Sequence, residues 1–244
     1  EDQKKLVNEK AWDGGWYRRC ITDEGTFIGS EKEPQAKIWL NTQSWSVISG
    51  MGDNGKLAMD NVKKYLDTEL GIKKIHPSMT TDYPTKDGNL TMYNKGCGEN
   101  GSVFCHANTW AIIAECILKR PENAYKYYHQ LLPMIAQAKA GEWRYKAEPY
   151  VYASNIFGPE SDKFGLANVS WLTGTAAWMY VAVTQYMFGI RARWDGLEID
   201  PCLPDEMLPT KITREFRGRK YNIIITRNEK VFINASDDNT TIEI

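Results

Sequence analysis

The chain has no run of about 18 uninterrupted apolar residues, the length a helix needs to cross a bilayer, and its opening Glu1-Asp2-Gln3-Lys4-Lys5 does not have the form of a signal peptide. It also has little charge of one sign: 30 Lys and Arg against 31 Asp and Glu leave a formal net charge of -1 over 244 residues. No global field draws nucleic acid or an anionic membrane, so neither is an expected partner, and any anion site has to be local. The five cysteines, Cys20, Cys97, Cys105, Cys116 and Cys202, are odd in number and form no C-x-x-C pair. That argues against a disulfide framework or a zinc ribbon and for a reducing, cytoplasmic setting. Of three histidines, His76 and His129 have no partner at ligand spacing, so no metal is expected. The Asn-x-Ser/Thr triplets starting at Asn89, Asn168, Asn234 and Asn239 are read as chance occurrences.

What the chain does have is aromatic surface, with nine Trp and 13 Tyr. Flat apolar rings fill cores, and they also match the C–H faces of pyranose sugars. The length suffices for one large domain, or a medium one plus a small one, without staples. Residues 1–190 read mostly as helices joined by polar, aromatic loops. Asp53-Asn54 is positioned to cap a helix from Gly55 to Leu70. A helix from Thr109 to Ile117 and another from Pro121 to Leu132 make an antiparallel pair. Thr173 opens a further helix whose run Ala176 to Phe188 is apolar on nearly every side, as expected of a helix buried all round. From residue 191 the pattern turns to strands: Leu197-Glu198-Ile199-Asp200 alternates, and Tyr221 to Thr226 and Val231 to Asn234 are set between Asn-Glu-Lys and Asp-Asp-Asn turns. About six helices in pairs, followed by a β module over 191–244, suggest part of a helical toroid with its site on one rim.

Chemistry concentrates at two places. Glu99-Asn100-Gly101 is a polar turn close before His106, whose ring lies near the positive end of the helix that Asn108 or Thr109 is positioned to cap. Thr173-Gly174-Thr175 offers a hydroxyl and open backbone N–H groups at a helix start. Thr173 either caps its own helix or grips an anion, and Gly174 suits a close approach of a ligand to the backbone. An imidazole, a hydroxyl and a helix start amid aromatics suggest a carbohydrate enzyme that also uses phosphate. Tyr93 and Trp171 are candidates for stacking on sugar. Asp13 and Glu148 either orient sugar hydroxyls or serve buried hydrogen-bond networks.

Several blocks in one order carry a resemblance: Trp12-Asp13-Gly14-Gly15-Trp16-Tyr17, Gln43-Ser44-Trp45, Glu99-Asn100-Gly101 with Phe104-Cys105-His106-Ala107-Asn108-Thr109-Trp110, Glu148-Pro149-Tyr150-Val151-Tyr152, Ser170-Trp171-Leu172-Thr173-Gly174-Thr175, and Gly189-Ile190-Arg191 through Asp200-Pro201-Cys202. Over nearly its whole length the chain resembles the inverting glycoside phosphorylases of glycoside hydrolase family 94, of the cellobiose phosphorylase kind. The resemblance implies a mainly α chain: the C-terminal half of an (α/α)6 barrel over 1–190, then a small C-terminal β module over 191–244. It implies phosphorolysis of a β-glucosidic disaccharide to α-glucose 1-phosphate and a sugar, with phosphate in the place where an inverting hydrolase activates water. His106, Thr173 and Gly174 match phosphate-holding positions, and Tyr93 and Glu99 match positions that contact the sugars. No cofactor is implied, since inorganic phosphate is a co-substrate, and a homodimer is compatible with the family.

Three departures qualify the match. Gly98 stands where related phosphorylases carry Lys, and Ser154 where many carry Gln. The family's general-acid Asp, in an Asp-Trp-Asn-Asp-like motif, and a phosphate-binding Arg are absent from these residues. The resemblance therefore implies an N-terminal remainder bearing the acid, and no phosphorolysis by this chain alone. Tyr93 would crowd an N-acetyl group, which favours a plain glucose acceptor. Phosphorylases for chitobiose, laminaribiose, cellobionic acid or longer β-glucans are the enzyme alternatives, and a non-catalytic carbohydrate-binding fragment is the alternative of another class.

Overall fold

The computed structural model describes residues 1–81, 90–237 and 239–244. Asn89 of the first triplet and Asp238 of the last turn lie outside the described residues. The helices are α1 (Asp2–Lys10), α2 (Leu40–Ile48), α3 (Gly55–Tyr65), α4 (Cys105–Ile117), α5 (Pro121–Leu131), α6 (Pro133–Ala140), α7 (Glu142–Tyr145) and α8 (Thr175–Val181), the last winding on as a π-helix over Ala182–Met187. Strands are more prominent than the sequence pattern suggests, and among the described residues the helices close no ring.

Helix α4 is the axis of the interior. Ala107, Ala111, Ile112, Ile113, Ala114 and Cys116 are all buried, and α2, α5, α8 and the π-helical turn pack around them. Ala at three of these positions lets the neighbours approach closely, and each enclosed Ile adds about 1.5–3 kcal/mol of burial. The helix starts at Cys105, four residues before the expected Thr109, because neither expected cap serves as one. The Thr109 hydroxyl bonds back to the His106 carbonyl at 2.7 Å, and the Asn108 amide pairs with both backbone groups of Ile72, at 2.7 and 2.8 Å. His106 thus lies inside the first turn. Helix α3 stops at Tyr65, short of Leu70, because Asp67–Thr68 folds back on Gly71–Ile72 in a tight antiparallel pair closed by a Thr68 Oγ1 bond to the Gly71 carbonyl at 2.6 Å. Leu66 and Leu70 reach the core regardless.

A three-stranded antiparallel sheet sets the two helix starts side by side. It consists of β1 (Val103–Phe104), β2 (Ala153–Ile156) and β3 (Ala167–Ser170), in that order, with Phe104 opposite Asn155 and Asn155 opposite Asn168. Strand β1 runs directly into α4, and β3 leads through Trp171 to α8. The helix from Thr175 is not buried all round. Ala176, Ala177 and Tyr180 (62% exposed) are open along it, as are Trp171 (68%) and Leu172 (78%) in the turn before it, while Met179, Ala182 and Met187 are buried. Apolar composition alone does not separate a doubly packed helix from one with an open apolar side.

After residue 190 come β4 (Ile190–Ala192), β5 (Gly196–Ile199), β6 (Thr210–Phe216), β7 (Arg219–Ile225), β8 (Val231–Asn234) and β9 (Thr241–Glu243), in sheets ordered β4-β5-β8 and β6-β7-β9. Leu197 to Ile199 does not alternate in burial, since all three residues are covered. Ile190, Leu197, Ile199 and Tyr221 share one apolar cluster with the helical core. Glu198 sits among Arg191, Arg193 and Lys230 at 2.7, 2.9 and 3.2 Å. Burial works to raise its carboxyl, and these cations outweigh it, holding it down to about 2. No helix of the described residues is long and apolar enough to cross a membrane.

Glu115, fully buried in α4, is an acid set in that apolar axis. Its Oε2 accepts from Asn123 Nδ2 at 3.3 Å and lies 3.6 Å from Arg120, while Oε1 is buried with no partner among the described residues. Burial raises its carboxyl from the ordinary 4.5 to about 7, against the opposing pull of Arg120 and Asn123. A raised carboxyl binds its proton more tightly when folded, so its stabilisation is complete below about pH 4.5 and is lost as pH rises through 7. Glu115→Gln, which stays neutral, is expected to be more stable than wild type at pH 8 by up to about 3 kcal/mol and equal to it near pH 4. Thermal unfolding at the two pH values measures the difference, and a mutant penalty that ignores pH contradicts it.

Candidate functional site

The imidazole of His106 rests against the backbone of Gly174. A Cβ added at 174 would lie 2.9 Å from His106 Cε1 and 3.1 Å from Nδ1. Any side chain there would push the ring away, so the absence of one lets α4 and α8 present their first turns to one point. Trp110 and Trp178 hold the ring from the other sides, with centroids 4.7 and 6.1 Å from it, and Trp45 extends the stack at 5.4 Å from Trp110. His106 Nε2 and Trp110 Nε1 are buried with no hydrogen-bond partner among the described residues. Two adjacent orphaned polar atoms are uncommon in a folded interior and are accounted for where a ligand or an ordered water completes the set. Burial first, and then the nearby Lys74 charge, lower the imidazole below its usual range. The shift favours the uncharged form of the ring.

Thr173 carries out part of the capping role. Its Oγ1 accepts from the Thr175 N–H at 3.2 Å and shares a 2.6 Å hydroxyl contact with Thr175. The residues leading to it are held in unusual shapes: Val169 has φ +54° and Trp171 φ +71°, in the left-handed region that non-glycine residues avoid. Trp171 Nε1 donates to Glu148 Oε1 at 3.0 Å, which clamps the turn. Glu148 therefore holds a protein side chain. Asp13 also serves a structural network: it accepts from Ser30 Oγ at 2.8 Å and from the Glu31 N–H at 2.7 Å, and it pairs with Arg18.

Tyr93 and Glu99 lie in a separate but neighbouring hollow, a cleft of about 1060 Å³ whose walls include Gly98, Phe104, Ser154 and Asn155. Gly98 has φ +49°, and a Cβ there would meet the Tyr93 ring at 2.7 Å. A lysine at 98 cannot coexist with this placement of Tyr93. Asn100 braces the turn, receiving the Met79 N–H at 2.7 Å and donating to the Met79 and Tyr93 carbonyls at 2.9 and 2.8 Å. Glu160, at the edge of the cleft, receives Lys73 Nζ at 3.0 Å, the Ser78 N–H at 2.8 Å and His76 Nδ1 at 3.3 Å. Burial acts upward on its carboxyl, and the bonds from His76, Ser78 and Lys73 bring it well below the usual range. A second cleft of about 510 Å³ is lined in part by Arg191, Asp200 and Lys119, which pair with one another.

The structure thus brings His106, Thr173 and Gly174 together, and separately Tyr93 and Glu99, with Phe104 leading from the second group into the helix of the first. Sequence reasoning missed Lys74 and Glu160. The signal available for the first was a pair of lysines, Lys73-Lys74, inside the otherwise apolar run from Leu70 to Ile75.

Residues 2–189 match the glycosyl hydrolase 94 superfamily, catalytic domain. The chain belongs to that family. It is 34% identical over 229 residues to a solabiose phosphorylase of Paenibacillus borealis, an alignment covering 93% of this chain and 29% of that protein. It is 39% identical over 219 residues to an N,N'-diacetylchitobiose phosphorylase of Vibrio furnissii, covering 88% and 27%. A cellobionic acid phosphorylase of Neurospora crassa is 30% identical over 228 residues, covering 91% and 28%. The chain spans less than a third of the length of these glycosyl hydrolase 94 relatives.

Gly174→Ala is expected to displace the His106 ring and to lower stability by about 1–3 kcal/mol, the cost of overpacking a filled interior. Denaturant unfolding together with the His106 imidazole NMR signals checks it. Unchanged His106 signals would show that the two groups do not touch.

Proposed function

We propose that this chain supplies the phosphate-binding side of an inverting glycoside phosphorylase acting on a β-glucosidic disaccharide of the cellobiose type. The observation that carries this reading is the seating of His106 on Gly174, with Nε2 buried beside them and without a partner among the described residues. His106, Thr173 and the open α8 start would hold inorganic phosphate, with no cofactor. Tyr93 and Glu99 would meet the sugars in the adjoining cleft. In the reaction, a phosphate oxygen bonds to C1 of the glucosyl unit from the face opposite the leaving sugar. The C1–O glycosidic bond breaks, and a carboxylic acid delivers its proton to the departing oxygen, giving α-glucose 1-phosphate and the free sugar. Phosphate arrives already anionic, so it needs positioning rather than deprotonation, which suits an uncharged imidazole, a hydroxyl and backbone donors.

The acid would come from a segment outside these residues, within the half-barrel arrangement of 1–190 followed by the β module of 191–244. The exposed Trp171, Leu172 and Tyr180 face suits such a covering segment. A second reading, favoured by the similarity to N,N'-diacetylchitobiose phosphorylases, takes N-acetylated sugars in the same cleft.

The complete protein is expected to release inorganic phosphate from α-glucose 1-phosphate when offered glucose, and less from the N-acetylglucosamine counterpart. His106→Ala is expected to raise the KM for phosphate at least tenfold and to change the disaccharide KM far less. Steady-state phosphorolysis with each substrate varied in turn measures both, and an unaltered phosphate dependence removes His106 from the anion site.

A further inference from the structure

Lys74 is a buried lysine, its side chain only 7% exposed. Its backbone is fixed on both sides: its N–H donates to the Ser102 carbonyl at 2.8 Å, and its carbonyl accepts the Leu40 N–H at 2.9 Å. From that anchored position Nζ lies 4.4 Å from the centre of the Phe104 ring and donates to Glu99 Oε2. Phe104 is the last residue before α4, so one ammonium touches the carboxylate in the sugar cleft and the ring that leads to His106.

Burial costs an ammonium several kcal/mol, and replacing a buried ion pair by apolar side chains is often neutral or stabilising. Stability therefore gives a weak account of this pair. Its place gives a stronger one. Glu99 is on the cleft wall, its Oε1 takes no part in the Lys74 bond, and Gly98 cannot bring a cation to it without displacing Tyr93.

We infer that Lys74 is a positioning and specificity-determining residue for the acceptor sugar, reaching Glu99 from the opposite side of the chain and fixing its carboxylate to accept pyranose hydroxyls in the cleft. The inference rests on the phosphorylase reading for its reaction, though not for its binding consequence. Burial lowers the Lys74 ammonium and the Glu99 carboxylate opposes it, so each group of the pair bears on the other.

The test uses the complete protein, with phosphate release from α-glucose 1-phosphate and glucose as acceptor. Lys74→Met is expected to raise the glucose KM at least tenfold and to change the α-glucose 1-phosphate KM less than twofold. Lys74→Gln should behave in the same way, and stands in for Lys74→Met if that variant does not fold. Lys74→Arg, which keeps the cation, should recover most of the loss. Equal rises in both KM values, or a glucose KM that does not move, overturn the role.

Calorimetric binding of cellobiose supplies a readout that needs no turnover. Wild type and Lys74→Arg should bind at least tenfold more tightly than Lys74→Met and Lys74→Gln, with similar melting temperatures. Binding with this pattern but without phosphate release refutes the phosphorylase reading and upholds Lys74. Equal binding by all four proteins, or none by wild type, overturns Lys74.

Discussion

The contact between the His106 ring and the bare backbone of Gly174 is the constraint on which the arrangement depends. It works because two helices begin at the same point, and they begin there because β1 and β3 are joined through β2 in one short sheet. Each part has a local cause. Asn108 is spent on tying α4 to Ile72, which leaves the first turn of α4 without a side-chain cap and lets Cys105 and His106 enter the helix. Thr173, just before α8, turns its hydroxyl to the N–H and hydroxyl of Thr175. Around these starts, Trp45, Trp110 and Trp178 meet edge to face, and the last two flank the imidazole.

Charge is distributed on the same plan. The chain is nearly neutral, and several of its carboxylates sit in small ion groups: Glu198 with Arg191, Arg193 and Lys230, Glu160 with Lys73 and His76, and Asp13 with Arg18. The first two join segments distant in sequence, whereas Asp13 and Arg18 close a short local turn. The Lys74 and Glu99 pair and the Glu160 group both border the cleft, whereas the Glu198 and Asp13 groups do not. Electrostatics in this fold is largely a matter of holding loops still.

Much of this was legible in the residues. Helix α5 is announced by Pro121, and β7 and β8 by their runs of β-branched residues. The blocks around His106 and Gly174 marked family membership and placed the two helix starts to within a few residues. The failures share a cause in tertiary contacts. The end of α3 is set by a hairpin that Leu66 and Leu70 do not betray, since they are buried either way. The open face of α8 is invisible because an apolar stripe reads the same whether covered or bare. Lys74 escaped notice because a lysine is ordinarily solvated, and only the pairing of Glu99 across 25 positions shows otherwise. Asp13 and Glu148, each open to two readings by sequence, both hold protein groups: Asp13 bonds Ser30 and Glu31, and Glu148 bonds Trp171.

The turn through Val169 and Trp171 carries a cost of its own. Each left-handed non-glycine residue costs about 1–3 kcal/mol, offset by the sheet on one side and the Glu148 clamp on the other. Glycine at either position would relieve that strain but would also loosen the approach to α8, so hardening the protein there and keeping the form of the turn that leads to Gly174 pull in opposite directions.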